Sequence, residues 1–116
     1  MIMVSHVIVR AFDKKNPASI SPAVNRYLRK DMKFDGVIIT DGLGMNGVRD
    51  LAGGDISKAA VLAVRAGNDM LCITSDHERC FSEIKKAVIR GDIPEEQIDD
   101  SVRRILLMKI RRGIIK

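Results

Sequence analysis

Three apolar, β-branched runs recur along the chain at a nearly constant interval, and this interval limits the possible folds more than any other feature. The runs are Ile2–Val9, Val37–Thr40 and Met70–Thr74. About 33 residues separate one run from the next, which is the length of one strand, one loop and one crossover helix. Each run is almost continuously apolar, as expected for parallel strands that are buried on both faces. The spacing therefore predicts three repeated βα units.

The segments that follow these runs carry helix start and stop signals. The first helix begins at Ser21–Pro22, where a capping hydroxyl precedes a residue that is favoured at the first helical position. The second runs from a capping Asp55 to Gly67, which suits a left-handed helix end. The third begins with Ser75 and Glu78 at the spacing of a capping box. These signals predict one helix after each strand.

A fourth helix is predicted after the third, with no strand between them. Acidic residues follow Pro94 and basic residues cluster at the other end, so the charges complement the helix dipole. Asp99 with Arg103, and Asp100 with Arg104, are expected to form pairs at a four-residue offset. The face expected to be buried consists of Ile98, Val102, Ile105 and Leu106.

The order β-α-β-α-β-α-α predicts an α/β fold with a parallel sheet, because crossover helices of this length join parallel strands. A chain of 116 residues is expected to form one domain, residues 1–116. Eight such units need roughly 260 residues, close to the size of a complete (β/α)₈ barrel. We therefore expect a partial (β/α)₈ TIM barrel with three parallel βα units and a C-terminal helix. Its open sheet edges predict self-association as a homo-oligomer.

The composition indicates which classes of binding partner and which cellular compartment to expect. Twenty Lys and Arg against fifteen Asp and Glu give a net charge of +5, but aromatic residues are only 3% of the chain. Few rings are available to stack on bases, so the basic charge is assigned to solvated helix surfaces and no nucleic-acid partner is expected. No apolar run reaches the roughly 18 residues of a membrane helix, so no membrane partner is expected. Two cysteines, Cys72 and Cys80, are too few for a disulfide scaffold and favour a reducing cytoplasm.

Asp41 closes the second apolar run, at the strand end where parallel α/β folds bind ligands. The residue fits a catalytic carboxylate and fits equally a cap for the following turn. His6, near the end of the first run, is either a ligand contact or a hydrogen-bonded core histidine. On the sequence alone, Met45 is assigned to packing and Asp69 to the turn after Gly67. Dinucleotide, P-loop and zinc-protease motifs do not occur in these residues.

Several motifs in one order resemble a known family. They are MVSHV at residues 3–7, PASISP at 17–22, FDGVIITD at 34–41, AGNDM at 66–70 and RILLMK at 104–109. Together they resemble glycoside hydrolase family 3, and in particular its bacterial β-N-acetylhexosaminidase branch. The resemblance covers essentially the whole chain and implies the C-terminal part of that family's catalytic barrel.

The resemblance implies a role for three residues. Asp41 matches the nucleophile of a retaining mechanism, in which a carboxylate forms a covalent glycosyl-enzyme. His6 matches a residue that lines the substrate pocket, and Met45 is implied as a weaker substrate contact. The implied substrate of the complete enzyme is a carbohydrate, a β-linked N-acetylhexosamine glycoside. No cofactor and no metal are implied, because this mechanism needs only a carboxylate and an acid/base group.

One family motif has no counterpart in these residues. The hexosaminidase branch carries its general acid/base histidine in a KH-x-x-GHG-like motif far before the nucleophile, and this chain contains no such motif. Loss of a proton donor typically removes about 10²–10⁴-fold of rate. The chain by itself is therefore expected to be a very poor glycosidase. The alternative is a non-catalytic truncated homologue that self-associates through its open sheet edges.

Overall fold

A computed structural model describes all residues 1–116 and contains one parallel sheet of three strands. The strands are β1 (Ile2–Val4), β2 (Ile38–Gly42) and β3 (Met70–Cys72), in the spatial order β1-β2-β3. Both neighbours pair with the central strand β2 in parallel. The predicted α/β class and the three parallel βα units are confirmed. The sheet corresponds to part of a barrel wall.

Helices follow each strand, and a last helix closes the chain. They are α1 (Pro22–Arg26), which continues as a π-helical turn (Tyr27–Asp31), α2 (Asn46–Arg49), α3 (Ile56–Ala66), α4 (His77–Ile89) and α5 (Glu95–Arg111). Short 3₁₀ turns lie at Ala18–Ile20 and Asp50–Ala52. The sequence patterns did not predict α2 or these short turns. None of the helices combines the length and the apolar character that crossing a membrane requires.

Three of the predicted helix ends are confirmed in detail. Asp55 caps α3, because its carboxylate accepts a hydrogen bond from the backbone N–H of Ser57 at 2.9 Å. Gly67 ends the same helix with a φ of +109°, in the left-handed region that glycine adopts without strain. Ser21 caps α1 by accepting from the backbone N–H of Val24 at 3.4 Å. These local signals fix where the helices lie along the chain.

The predicted start of the third helix is wrong. The helix α4 begins at His77, and the residue before it, Asp76, has a φ of +54° and makes no capping bond with its side chain. This left-handed residue separates Ser75 from the helix by one position. The Ser75 and Glu78 pair therefore does not form a capping box.

The first strand is also shorter than its apolar run. After Val4 the chain leaves the sheet, because the carbonyl groups of Ser5 and Val7 accept hydrogen bonds from the backbone N–H groups of Ser19 and Ala18, at 3.1 and 2.8 Å. The chain before α1 therefore folds back against the end of β1. The remaining apolar residues of this run, Val7, Ile8 and Val9, are exposed.

The main core lies where α3 packs beside α4 and the loop after β2. Ala59, Ala60 and Ala63 on α3 are fully buried, and their small side chains allow close approach of the neighbouring elements. Leu43 and Val48, which follow β2, are fully buried in the same cluster. This packing holds the segment after β2 in place.

The last helix, α5, buries less apolar surface than the sequence predicts. Ile98 and Ile105 are partly buried, but Val102 and Leu106 are 47% and 44% exposed. The expected four-residue face is therefore only half correct. No other part of the chain covers the outer side of this helix. The apolar side chains on that side, which include Val102 and Leu106, form an outer stripe that is exposed to solvent.

A buried carboxylate connects α5 to the sheet. The Asp69 side chain is completely inaccessible to solvent. Its Oδ1 accepts from the Ser101 hydroxyl at 2.8 Å and from the Arg104 guanidinium at 2.9 Å. Its Oδ2 accepts from the Arg29 guanidinium and from the backbone N–H of Ile38, the latter at 2.8 Å. Asp69 thus joins the start of β3 to three other segments.

This arrangement corrects three predictions. Asp69 does more than serve the turn after Gly67, because its partners lie 31 to 40 residues away along the chain. Arg104 pairs with Asp69 and not with Asp100. Arg103 pairs with Asp100 at 2.9 Å and not with Asp99. A buried carboxylate attracts a nearby guanidinium more strongly than an exposed one does, because water screens the exposed pair.

We predict that Asp69→Asn lowers the free energy of unfolding by about 3–5 kcal/mol, because it leaves two guanidiniums facing an uncharged amide. Urea unfolding followed by circular dichroism measures the change. Asp100→Asn is the matched control, because it removes an exposed partner of Arg103 and should cost less than about 1 kcal/mol. Equal losses in the two variants would contradict the special role of Asp69.

Candidate functional site

One open depression at the carboxyl end of the sheet is lined by the three predicted site residues, His6, Asp41 and Met45. Asp41 is the fourth residue of β2, and His6 follows β1 by two positions. The register pairs Val4 with Thr40, so the chain after β1 passes beside Asp41. The depression has a volume of about 620 Å³. Its lining residues are Ser5, His6, Val7, Asp41, Met45, Asn46 and Gly47.

The Asp41 carboxylate is half-buried and uses one oxygen locally. Its Oδ1 accepts a hydrogen bond from the backbone N–H of Gly42 at 2.7 Å. Its Oδ2 has no hydrogen-bond partner in the protein. This bond reaches only the next residue, whereas a turn-capping aspartate accepts from a backbone N–H two or three residues further on. The second oxygen is the one that a nucleophile needs. The structure therefore shows no capping bond for Asp41 and leaves its Oδ2 available for other contacts.

His6 has both ring nitrogens bonded within the protein. Its Nε2 lies 2.8 Å from the carbonyl oxygen of Gly42, and its Nδ1 lies 2.7 Å from the Ser19 hydroxyl. A carbonyl can only accept, so Nε2 carries the proton and donates to Gly42. In the neutral ring, Nδ1 then accepts from Ser19. His6 therefore ties the end of β2 to the segment before α1, and its role as a substrate contact stays a prediction.

Met45 stands at the start of α2 and is 52% exposed. Its Cγ and Sδ lie 3.8 and 3.9 Å from the position that a Cβ would occupy at Gly42. The flexible thioether therefore covers the backbone directly after Asp41. This contact fits both a packing residue and an apolar wall of a binding site, and the substrate contact of Met45 stays a prediction.

One residue near the site, Ser19, was not singled out by the sequence patterns, whereas the glycines after Asp41 were expected to permit close approach. Ser19 is fully buried and supplies the hydroxyl beside His6. Its presence within the PASISP motif was the available signal, but its partner lies thirteen residues away. Gly44 is required at its position, because a Cβ there would lie 2.9 Å from the Thr74 hydroxyl. The missing side chain at Gly44 therefore lets the loops after β2 and β3 approach each other.

The depression holds one carboxylate and no free proton donor of histidine type. Asp41 is the only carboxylate among its lining residues, and His6 is engaged on both nitrogens. No three His, Cys, Asp or Glu side chains lie close enough together to hold a metal ion. The described residues can therefore supply a nucleophile, while protonation of a leaving group requires a further residue.

We predict that the neutral His6 ring is protonated on Nε2, with Nδ1 as a bare acceptor. Two-bond ¹H–¹⁵N correlation spectra distinguish the two ring nitrogens. Ser19→Ala removes the donor to Nδ1 and should increase the population of the other tautomer. A ring protonated on Nδ1 in the unaltered chain would contradict the assignment, because Nε2 would then direct a lone pair at the Gly42 carbonyl.

The comparisons with known proteins all indicate the same family. The sequence model described as "Glycosyl hydrolase family 3 N terminal domain" matches residues 1–108. A β-hexosaminidase from Idiomarina loihiensis is 32% identical over 109 residues, which cover 91% of this chain and 31% of the relative.

Solved structures agree in fold and in sequence. A glycoside hydrolase family 3 β-N-acetylglucosaminidase from Paenibacillus sp. superimposes with a TM-score of 0.88 at 38% identity, covering 97% of this chain and 22% of that one. LpqI from Mycobacterium tuberculosis gives a TM-score of 0.83 at 30% identity, covering 92% and 33%. The chain spans only 21–31% of the length of the curated relatives it matches.

Proposed function

Because this chain belongs to glycoside hydrolase family 3, we propose that it supplies the nucleophile-bearing part of a retaining β-N-acetylhexosaminidase, with Asp41 as the nucleophile. One observation carries the proposal. Asp41 lies at the carboxyl end of the central parallel strand, in an open depression, with one carboxylate oxygen that has no protein partner. This end of a parallel sheet is where α/β barrels place catalytic residues.

The proposed reaction has two displacements. In the first, the free Asp41 oxygen bonds to the anomeric carbon, the bond from that carbon to the leaving oxygen breaks, and an acid protonates the leaving oxygen. In the second, water replaces the carboxylate at the same carbon while the conjugate base of that acid accepts a water proton. The chain supplies the carboxylate. The acid/base group comes from outside the residues that line the depression.

The proposed substrate class is a carbohydrate, a β-linked N-acetylhexosaminide. It rests on the relatives that are described as β-hexosaminidases and β-N-acetylglucosaminidases. The lining residues around Asp41 are too few to enclose a sugar ring, since the depression is open and only seven residues line it. Further loops are therefore proposed to complete the sugar site.

A chimeric enzyme directly tests the proposed role of Asp41 as the nucleophile. Residues 1–108 replace the matching segment of the Idiomarina β-hexosaminidase, and hydrolysis of an aryl β-N-acetylglucosaminide is measured. We predict measurable turnover that falls by about 10³-fold or more in Asp41→Asn, because the neutral amide cannot form the covalent intermediate. Asp35→Asn is the matched control, because Asp35 is exposed near the opposite end of β2 and should leave turnover unchanged.

Two results would contradict the proposal. Turnover that survives Asp41→Asn in the chimera would remove Asp41 from the nucleophile role. Robust turnover by the 116-residue chain alone, lost in Asp41→Ala, would show that no outside acid/base group is needed. A chimera in which Asp35→Asn is as damaging as Asp41→Asn would indicate a fold defect in place of a chemical one.

Self-association is a second proposal, and it is favoured by the uncovered sheet edges. The outer edge of β1 and the outer edge of β3 have no strand beside them. Met3 on β1 is 59% exposed, and the outer stripe of α5 is apolar. Unpaired edges with apolar neighbours recruit further strands. The partner is either the rest of a family 3 barrel or another copy of this chain.

We predict that the isolated chain forms dimers or larger species at micromolar concentration, as measured by sedimentation velocity. Met3→Lys should shift the distribution towards the monomer, because a charge on an edge strand opposes pairing. Met32→Lys is the matched control, because Met32 is similarly exposed at 57% but follows a helical turn and is not part of a strand. A monomer in the unaltered chain, or equal effects of both lysines, would contradict edge pairing.

A reducing cytoplasm is the proposed location, and the two cysteines support it. Cys72 and Cys80 are both free thiols. Burial raises the pKa of the Cys80 thiol, with the nearby Asp76 and Asp55 acting in the same direction. A thiol with a raised pKa is a weak nucleophile, so Cys80 is assigned to packing and not to chemistry.

A further inference from the structure

A concentration of positive charge lies on a different side of the molecule from the depression around Asp41. A concave site of about 270 Å³ is formed between α1, the end of α3 and α5. We refer to it as the basic basin. Its five cationic lining residues are Arg26, Arg29, Lys30, Arg65 and Arg104, and its other lining residues include Asn25, Gly67, Gln97 and Asp100.

The charges in the basic basin are not balanced. Asp69 behind the basin neutralises one of the two guanidiniums that it binds, Arg29 and Arg104, so one positive charge remains. The single acidic lining residue, Asp100, is already paired with Arg103, which is not among the lining residues.

The three remaining cations, Arg26, Lys30 and Arg65, form no ion pair, as the six salt bridges of the chain do not include them. A concave surface with several uncompensated positive charges focuses the electrostatic potential on an anion.

The pKa of Arg29 is affected by the other charges at the floor of the basin. Burial lowers the pKa of its guanidinium, Asp69 opposes that effect, and the positive charge of Arg104 lowers the pKa further. Two like charges are therefore close enough to repel each other at the floor of the basin. An anion above them would reduce this repulsion.

A buried amide with an unused polar atom also lines the basin. Asn25 is only 2% exposed, its Oδ1 has no hydrogen-bond partner, and its Nδ2 makes one long bond of 3.5 Å to the carbonyl of Ser21. A half-turn of the amide would offer an N–H donor in place of the unpaired oxygen, and it would give up only the long bond to Ser21. Gly67 packs directly against this side chain, because a Cβ there would lie 3.3 Å from the Asn25 Cβ.

We propose that the basic basin binds an oxyanion of the phosphate type, either free phosphate or a phosphate monoester, with Arg26 and Arg65 as its principal donors and the Asn25 amide as an additional donor. Guanidinium groups match the geometry of phosphate oxygens and form charge-assisted hydrogen bonds with them. Pro22 and Ala66 are the only apolar side chains among the eleven lining residues and none is aromatic, so the basin does not offer the stacking surface that nucleic-acid bases use.

The test is a titration of the ¹⁵N-labelled chain with inorganic phosphate and, separately, with glycerol 3-phosphate, at constant ionic strength maintained with sodium chloride. We expect saturable shifts of the Asn25 side-chain amide and of the backbone amides of Arg26, Arg65 and Gly67. Tighter binding of the monoester identifies an ester as the natural source, and tighter binding of inorganic phosphate identifies the free ion. Equilibrium dialysis with radiolabelled phosphate measures the same binding if the chain associates into large species.

The double variant Arg26→Ala/Arg65→Ala should weaken binding by about threefold to tenfold, because it removes two charged donors. Arg111→Ala/Arg112→Ala is the matched control, because it removes the same charge from exposed residues outside the basin and should leave binding unchanged. Equal weakening by both variants, shifts spread over all basic residues without saturation, or no binding of either probe would overturn the proposal. None of these readouts depends on glycosidase activity.

Discussion

The Asp69 carboxylate is closed off from water, and four donors from three other parts of the chain surround it. Burial of an unpaired carboxylate would be prohibitively unfavourable, so these donors must all be in place before the carboxylate can be buried. One donor, the backbone N–H of Ile38, belongs to the first residue of β2. The backbone N–H of Asp69 donates in return to the Ile38 carbonyl at 2.8 Å. The start of β2 is thereby fixed, and Asp41 lies three residues further along the same strand.

A second set of polar contacts fixes the other end of β2. His6 donates to the Gly42 carbonyl and accepts from the buried Ser19 hydroxyl, so it connects the end of the central strand to the segment before α1. The Asp41 carboxylate is held between these two anchors, with one oxygen bonded to Gly42 and one oxygen free. In this account His6 positions the strand end that carries the nucleophile. We propose that other residues supply the acid/base group and the sugar-enclosing loops that a retaining glycosidase also needs.

The sequence predicts those features that depend on short-range patterns. The repeat of apolar runs predicts the parallel sheet, and Asp55 with Gly67 predicts both ends of α3, because strand burial and helix capping are decided within a few residues. The end of β1 could not be predicted, because the apolar run continues beyond it. The strand ends where the backbone N–H groups of residues 18 and 19 bond to carbonyls within that run. The partners of Asp69 lie 31 to 40 residues away and share no sequence period with it. The resemblance to glycoside hydrolase family 3 identified Asp41, whereas the pairing of His6 with Ser19 required the fold.

The most direct test of the central claim, that Asp41 is the nucleophile of a retaining hydrolase, is the configuration of the product formed with azide. In the chimera that carries Asp41→Ala, azide ion can enter the space left by the carboxylate and attack the anomeric carbon of a 4-nitrophenyl β-N-acetylglucosaminide. The bond to the nitrophenolate breaks as the carbon–nitrogen bond forms, so one displacement replaces two. The account predicts an α-glycosyl azide, identified by its anomeric proton coupling, and azide-dependent recovery of turnover. A β-glycosyl azide, or no recovery in an otherwise folded protein, would contradict it.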